Sequence, residues 1–178
     1  MSSRPKRSDS AAMLIVFGGL PGVGKTALAR TLAAQLGAVY LRMGAIEQTL
    51  GSSAGLAGEV GPAGYPVAYP LAESNLRLGQ VVVADCVNLL ALTRDAWRQA
   101  AERTGSRIVE IEVICSDRAE HRRRVETRST DVAGLKLPSW EDVMRRDYEP
   151  WDRPRIPIDT AARTAAEALT ELLSRIDG

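Results

Sequence analysis

The sequence predicts an α/β fold of three layers, with a parallel β-sheet between layers of helices. Five short apolar runs of strand length recur along the 178 residues, and each is followed by a segment with helical periodicity. The first run passes through a glycine-rich turn directly into a helix. Such alternation is typical of a parallel sheet with helical crossovers. The length suits one domain, which we place at residues 13–178.

The first strand and the first helix enclose the most informative segment of the chain. An apolar run at 13–17 predicts a buried strand, and periodic leucines and alanines over 24–36 predict an amphipathic helix. Between them the sequence completes the pattern G-x-x-x-x-G-K-[ST] with Gly19, Gly24, Lys25 and Thr26. Glycines let backbone N–H groups converge on phosphate oxygens, and the positive end of the helix dipole adds to the attraction.

This segment is therefore predicted to hold a nucleoside triphosphate. Lys25 would reach the β- and γ-phosphates, and the Thr26 hydroxyl would hold Mg²⁺. The predicted nucleotide contacts here are Gly19, Leu20, Pro21, Gly22, Val23, Gly24, Lys25, Thr26 and Ala27.

The second and third strands are predicted at 39–43 and 81–85, with helices at 46–50 and 66–78 between them. Residues 51–64 carry five glycines without an apolar pattern, so we predict a mobile flap there. In the third strand four apolar residues precede Asp85, which emerges at the carboxyl end, where ligands bind in open α/β sheets. Asp85 is the second predicted Mg²⁺ ligand; the alternative is a capping or turn aspartate.

The rest of the chain is predicted to add two strands, an arginine-rich helix and a final helix. A helix at 94–104 precedes a strand at 108–115, and a helix at 161–176 follows a strand at 155–158. Two further helices are predicted at 117–127 and 139–148. The first of these carries His121, which we expect to be exposed, and five arginines: Arg118, Arg122, Arg123, Arg124 and Arg128.

Composition excludes several classes of partner. Lysine and arginine number 23 against 22 acidic residues, so with a net charge of +1 no global field attracts nucleic acid or anionic lipid.

Residues 1–12 are polar and basic, and the apolar run after them is too short for a signal peptide or a membrane span. We predict a disordered tail there and a cytoplasmic protein. Cys86 and Cys115 are predicted to be free thiols.

Absent motifs narrow the class of phosphate-binding protein. A GTPase would carry Asn-Lys-x-Asp, but neither Asn75 nor Asn88 is followed by lysine. The serine-glycine-glycine signature of transporter ATPases is missing, and no residues remain for the helical domain of a ring-forming motor. The class of protein that remains after these exclusions is a small P-loop kinase.

Three stretches, GGLPGVGKT, VVVADCVNLLALTRDAW and EHRRRVETR, resemble in order and spacing the AAA_33-type predicted kinases, relatives of zeta toxin, chloramphenicol phosphotransferase and phage polynucleotide kinase. The resemblance runs from about residue 13 to residue 176. It implies a P-loop NTPase fold with a five-stranded sheet in the order 2-3-1-4-5. It also implies an arginine-bearing lid over about 117–138.

For the lid, two interpretations of the arginines stay open. Glu120, Arg124 and Arg128 recur at four-residue steps, which suits a solvated, ion-paired helix face. The alternative is that Arg124 and Arg128 neutralise the charge of a transferring phosphoryl group. The resemblance further implies that the lid and the loop after the last strand, with Thr160, enclose an adenine, although Thr160 could instead cap the final helix.

On the acceptor side, the predicted substrate contacts are Arg42, Gly44 and Arg94. Arg94 begins a helix shortly after the third strand, near the expected acceptor, but it could equally be a surface residue at a helix start. Many relatives carry a catalytic aspartate where this sequence has Gly44. Glu47, one helical turn on, could supply the missing base, and so could Asp85, although a Mg²⁺ partner makes a poor base. Glu47 could also be an ordinary first-turn acid.

The sequence thus predicts a phosphotransferase that uses ATP and Mg²⁺ and acts on a hydroxyl of a small molecule or nucleotide. One alternative is a nucleotide-binding regulatory protein with weak or no kinase activity, because the usual base is missing. Another is a polynucleotide 5′-hydroxyl kinase, against which the near-neutral charge argues.

Overall fold

The computed structural model describes residues 12–53 and 61–176. In this part of the chain one sheet is formed by five strands: β1 (Met13–Gly18), β2 (Val39–Arg42), β3 (Val81–Asp85), β4 (Arg107–Ile114) and β5 (Ile156–Asp159). All neighbouring strands are parallel, and their order is β2-β3-β1-β4-β5. The predicted fold class and strand order are confirmed.

Helices connect the strands. Seven α-helices lie in the described residues: α1 (Lys25–Leu36), α2 (Met43–Ser53), α3 (Tyr65–Arg77), α4 (Ala91–Thr104), α5 (Arg118–Thr127), α6 (Trp140–Met144) and α7 (Ala165–Ile176). A short 3₁₀ helix, Gly61–Gly64, precedes α3. No helix in the described ranges combines the length and the apolar character that crossing a membrane requires.

Two apolar cores lie on opposite faces of the sheet. Alternate residues of β1 point to opposite sides: Ile15 and Phe17 pack in the core that contains α1 and α7, whereas Leu14 and Val16 pack in the core that contains α3 and α4. The strands carry apolar residues at successive positions because both faces are covered, as expected for a parallel sheet.

The register brings the carboxyl ends of three strands to the same level. Phe17 of β1 is paired with Asp85 of β3, and Asp85 is paired with Arg42 of β2. The segments that follow these strands therefore emerge side by side at one edge of the sheet, which is where α/β folds place their ligands.

Several predicted boundaries differ from the structure. Helix α2 begins at Met43, directly after β2, and continues through Ser53, so the first residues of the predicted flap are helical. The rest of the predicted flap comprises residues 54–60, outside the described residues, and the 3₁₀ helix. Helix α6 ends at Met144 rather than 148, and α7 begins at Ala165 rather than 161. The predicted tail lies outside the described residues up to position 11.

Both cysteines are free thiols, as predicted. Cys86 follows β3 and Cys115 follows β4, and β1 lies between these two strands.

Candidate active site

The loop between β1 and α1 has the backbone that its glycines predict. Gly19, Gly22 and Gly24 have φ angles of 134°, 88° and 99°, which favour glycine. A Cβ atom at Gly19 would lie 2.2 Å from the carbonyl oxygen of Val113, and one at Gly22 would lie 2.5 Å from Cγ2 of Val125. The loop therefore packs so tightly that side chains are excluded at both positions.

The start of α1 is suited to bind an anion. Its N-cap is Gly24, and no side chain of the described residues accepts a hydrogen bond from the first turn. Free N–H groups and the positive helix end attract phosphate. Lys25 is the first residue of α1 and is only 7% exposed. Burial lowers the pKa of Lys25 to about 8, although Asp85 opposes the shift, so a bound phosphate would favour its charged form.

Asp85 is buried beside the loop at the end of β3. Its carboxylate accepts a hydrogen bond of 2.7 Å from the hydroxyl of Tyr40, and burial together with Asp85 raises the pKa of that phenol. Asp85 and Thr26 line the same cavity, and the described residues contain no group of three or more acidic, histidine or cysteine side chains that could hold a metal. One carboxylate and one hydroxyl fit Mg²⁺, which usually completes its octahedron with phosphate and water oxygens.

A cavity of about 520 Å³ joins most of the predicted site. The predicted residues that line it are Pro21, Gly22, Gly24, Lys25, Thr26, Ala27, Arg42, Gly44, Glu47, Asp85, Arg124 and Arg128. Gly19, Leu20 and Val23 instead line a second cavity of about 200 Å³ beside β4. Two other predicted residues, Arg94 and Thr160, lie outside both cavities.

Arg124 of α5 connects the lid to the end of β5. Its guanidinium donates to the Thr160 hydroxyl at 2.8 Å, to the Thr160 carbonyl at 2.9 Å and to Glu120 at 2.5 Å. The Thr160 hydroxyl also lies 2.8 Å from the carbonyl oxygen of Val23, in the glycine-rich loop. Thr160 therefore joins three elements with its side chain. It does not cap α7, which begins five residues later, at Ala165.

Arg128 directly follows the last residue of α5 and forms no ion pair within the described residues. Two of its nitrogens, Nε and Nη2, are buried and have no hydrogen-bond partner among the described residues. Burial, and secondarily Arg146, lowers its pKa. A guanidinium in this setting is costly unless an anion pairs with it. Because Arg128 lines the same cavity as Lys25, its orphaned nitrogens fit a phosphate group.

The acceptor half of the cavity contains a perturbed carboxyl group. Burial raises the pKa of Glu47 to about 7, against the opposing effect of Arg146. A Cβ atom at Gly64 would lie 2.7 Å from Cγ of Glu47, so the 3₁₀ helix packs directly on this side chain. At Gly44 a Cβ atom would lie 3.6 Å from Cδ2 of Leu135. On α2, the carboxyl group that lines the cavity is therefore that of Glu47.

The expectation that Arg94 contacts substrate is wrong. Its side chain is fully buried, and it donates to the carbonyl oxygens of Leu89 at 2.7 Å, Glu149 at 2.6 Å and Pro150 at 3.1 Å. The guanidinium also lies 4.5 Å from the ring centre of Trp151. Backbone acceptors thus bind the two Nη atoms of Arg94, while its Nε is buried without a partner among the described residues. Arg94 therefore holds two loops together.

Sequence reasoning missed two functional positions. His121 is buried rather than exposed, and its ring nitrogen lies 2.9 Å from the carbonyl oxygen of Pro21. Its spacing of four from Val125, in a helix that is otherwise charged, was the available signal. Arg146 lines neither cavity, but its charge acts to lower the pKa of Lys25, Glu47 and Arg128. The available signal for Arg146 in the sequence was its position in a pair of arginines that follows α6.

Solved structures with a similar fold include kinases and a nucleotide-bound protein. The APS kinase of Mycobacterium tuberculosis in complex with AMPPNP and APS is 17% identical, with a TM-score of 0.68 over 94% of this chain and 99% of that chain. A gluconokinase from Sinorhizobium meliloti 1021 is 20% identical, with a TM-score of 0.63 over 94% and 92%. Chaetomium thermophilum Kti12 in complex with ADP-AlF3 is 22% identical, with a TM-score of 0.66 over 93% and 100%.

These similarities show the fold that the sequence predicts, a three-layer P-loop NTPase fold. No curated protein matches the chain. The relationship to zeta toxin, chloramphenicol phosphotransferase and phage polynucleotide kinase stays a prediction. The family profile AAA_33, described as an AAA domain, matches residues 14–151, most of the chain. The chain therefore belongs to the AAA_33 family.

Proposed function

We propose that the protein transfers the γ-phosphoryl group of ATP, with Mg²⁺, to a hydroxyl of a small molecule or nucleotide. The observation that carries the proposal is the content of one cavity: an anion-binding loop, an orphaned guanidinium at Arg128 and a carboxyl group at Glu47. These are the groups that phosphoryl transfer requires for binding, charge neutralisation and acceptance of a proton.

On the donor side, the loop and Lys25 bind the phosphates. The free N–H groups at the start of α1 orient the triphosphate, and the Lys25 ammonium neutralises the β- and γ-phosphate oxygens. Thr26 and Asp85 would hold Mg²⁺, which when bound supplies further charge neutralisation at the phosphate oxygens. Arg124 and the loop at 160–164 enclose the base, which we propose is adenine because no guanine-reading motif is present in the sequence.

On the acceptor side, Glu47 takes the proton. As the acceptor oxygen bonds to the γ-phosphorus, the bond from that phosphorus to the β,γ-bridging oxygen breaks and ADP leaves. The hydroxyl proton passes to the Glu47 carboxylate. Arg128 stabilises the charge on the equatorial oxygens of the transferring group. A pKa of about 7 leaves a useful fraction of Glu47 ionised at neutral pH.

A second candidate is a nucleotide-binding regulator with weak or no transfer activity. The observation in its favour is Gly44, which leaves the position of the usual base empty and lies beside Leu135 of the lid. Because phosphoryl transfer depends mainly on positioning and electrostatics, we favour the enzyme. We further propose a cytoplasmic location and no nucleic acid partner, since the net charge is +1.

The proposal is tested by incubating the protein with labelled Mg-ATP and a panel of nucleosides, sugars and antibiotics. We expect one acceptor class to be labelled, and Lys25→Ala to lose nearly all nucleotide binding and transfer because an ammonium group is removed from the phosphates. Lys136→Ala is the matched control, since Lys136 is exposed on the lid loop and does not line the cavity. Mg-ATP binding without any product would favour the regulator, and unchanged binding by Lys25→Ala would refute both candidates.

A further inference from the structure

An ion pair closes the acceptor half of the cavity. Arg42, the last residue of β2, donates to Asp131 of the lid loop at 2.5 Å. Arg30 of α1 approaches the other carboxylate oxygen of Asp131 at 3.5 Å. All three side chains line the cavity. One lid carboxylate is thus held between two guanidinium groups of the protein body.

The position of Arg42 favours a role on the acceptor over a role on the nucleotide. Strand β2 is the second neighbour of β1, and Asp85 lies between Arg42 and Phe17 in the register. With a strand spacing of about 4.8 Å, Arg42 starts roughly 10 Å from the strand that leads into the phosphate loop. It directly precedes α2, which carries Gly44 and Glu47. Arg42 therefore faces the acceptor rather than the triphosphate.

The ion pair can be displaced by a ligand. The Asp131 side chain is 60% exposed, and exposed ion pairs contribute little to stability. Arg42 is only 20% exposed, so without Asp131 it would be a partly buried cation in need of another anion. The planar guanidinium binds carboxylate, phosphate and sulfate groups with paired hydrogen bonds.

The charge of the cavity also favours an anionic acceptor. Five basic side chains line it, Lys25, Arg30, Arg42, Arg124 and Arg128, against three acidic ones, Glu47, Asp85 and Asp131. The triphosphate uses the cations of the loop and the lid, whereas Arg42 and Arg30 are neutralised by Asp131 alone among the described residues. A ligand that displaces Asp131 would leave both of them available.

We infer that Asp131 occupies the place of an anionic group of the acceptor. The acceptor is then a hydroxyl compound that carries a carboxylate, phosphate or sulfate group a few bonds from the accepting hydroxyl. Arg42 binds that group with support from Arg30, and Asp131 leaves Arg42 when the acceptor enters. The part of this inference that concerns the hydroxyl rests on the proposed function; the anion site itself does not.

The anion site is tested by calorimetric titration with sulfate, with and without saturating Mg-AMPPNP, which fills the phosphate loop. Asp131→Asn removes the competing charge at an exposed position, so it should bind sulfate about two- to fivefold more tightly than the wild type. Arg42→Gln should bind sulfate at least tenfold more weakly. Arg122→Gln, which breaks an exposed ion pair with Glu126 on α5 outside the cavity, should match the wild type. Chloride at equal ionic strength controls for screening.

Equal sulfate affinities in the wild type and Asp131→Asn would overturn the inference, whatever the behaviour of Arg42→Gln. Acetate and phosphate, titrated in the same way, distinguish a carboxylate site from a phosphate or sulfate site.

A second experiment measures transfer from labelled ATP to matched acceptors: a polyol, the corresponding carboxylic acid and the corresponding phosphate ester. We expect an anionic acceptor to have the lowest KM and Arg42→Gln to raise that KM without an equal effect on the neutral polyol. Transfer to neutral acceptors alone would overturn the inference and leave the proposed function intact. The sulfate pattern without any transfer would support the anion site and contradict the proposed function.

Discussion

At the scale of single residues, Glu47 combines the features of a general base. It lies one turn into α2, lines the cavity and is covered by the 3₁₀ helix at Gly64. Burial raises the pKa of its carboxyl group to about 7 from an ordinary value of 4.5. A carboxyl group with this pKa ionises near neutral pH, where the enzyme would operate. Its carboxylate is then basic enough to accept a hydroxyl proton during transfer.

Glu47→Gln should therefore change both rate and pH dependence. In the wild type, kcat/KM should rise with pH through about 7 as the carboxyl group ionises. In the variant, kcat/KM should not rise with pH in this range, and the rate should be lower by about 10²-fold or more. Stability provides a control, because its dependence on pH has the opposite sign to that of kcat/KM. A raised carboxyl pKa means that the folded state favours the neutral form, so the wild type loses stability as pH rises from 4.5 to 7. The variant should then have the higher Tm at pH 8 and a similar Tm at pH 4. An unchanged pH profile of kcat/KM would rule out Glu47 as the base.

Arg94 is a second single residue with a testable role, and this role is in stability rather than in catalysis. Arg94→Met keeps much of the side-chain volume but leaves the carbonyl groups of Leu89, Glu149 and Pro150 without their donor. Each buried acceptor that loses its partner costs about 1–3 kcal/mol, so we expect a loss of roughly 3 kcal/mol or more in the free energy of unfolding. Urea denaturation measures this loss. Acceptor KM of the folded fraction should not change; a raised KM with normal stability would restore the role in substrate binding.

At the scale of elements, the predicted lid (117–138) and α6 together form a small unit that packs on the phosphate loop. Val125 of α5 and Trp140 and Val143 of α6 form an apolar cluster that Leu20 of the loop joins. His121 adds a ring contact to Trp140, with centroids 5.1 Å apart. The lid arginines are thus positioned by packing: α5 buries Val125 and His121 against the loop and presents Arg124 and Arg128 to the cavity.

Trp140→Ala should loosen the lid more than the sheet. Removing a large buried aromatic side chain costs about 3 kcal/mol or more, and here the loss falls on a satellite cluster apart from the two main cores. Hydrogen exchange should accelerate at least tenfold over residues 118–144, with the amides of β1 and β3 unaffected. Affinity for Mg-ATP should fall because Leu20 loses a neighbour. Trp140→Phe is the control and should keep most of the protection; equal acceleration in β1 would show that the lid is not a separate unit.

How far the sequence predicts these elements depends on the range of the interactions that form them. The phosphate loop was predictable because its glycines, Lys25 and Thr26 are fixed by local backbone geometry and adjacent elements. The start of α2 was not, since Met43 enters the helix while buried in a core that distant residues complete. The Arg42 and Asp131 pair joins positions 89 residues apart, so neither periodicity nor a motif could reveal it.

At the scale of the whole molecule, the site is assembled from segments that end or follow all five strands. Lys25 and Glu47 lie in the helices that follow β1 and β2, Asp85 ends β3, and Thr160 follows β5 and contacts Arg124. The predicted lid, which follows β4, supplies Arg124 and Arg128 and completes the cavity. Such a site exists only when the sheet is formed and the lid is docked. Ligands that bind it must therefore stabilise the folded state as a whole.

Mg-ATP should accordingly raise the unfolding temperature. At a free concentration 100 times its Kd, a ligand that binds only the folded state adds about 2.7 kcal/mol. For a chain of this size we expect about 5–10 °C in Tm, measured by scanning calorimetry or a thermal shift assay. ATP with EDTA should give a smaller shift, because Thr26 and Asp85 would then hold no Mg²⁺. Lys25→Ala should give almost none, whereas Lys136→Ala should behave as the wild type. A shift in Lys25→Ala equal to that of the wild type would place the nucleotide elsewhere, since it would mean that the phosphates do not contact the ammonium group at the start of α1.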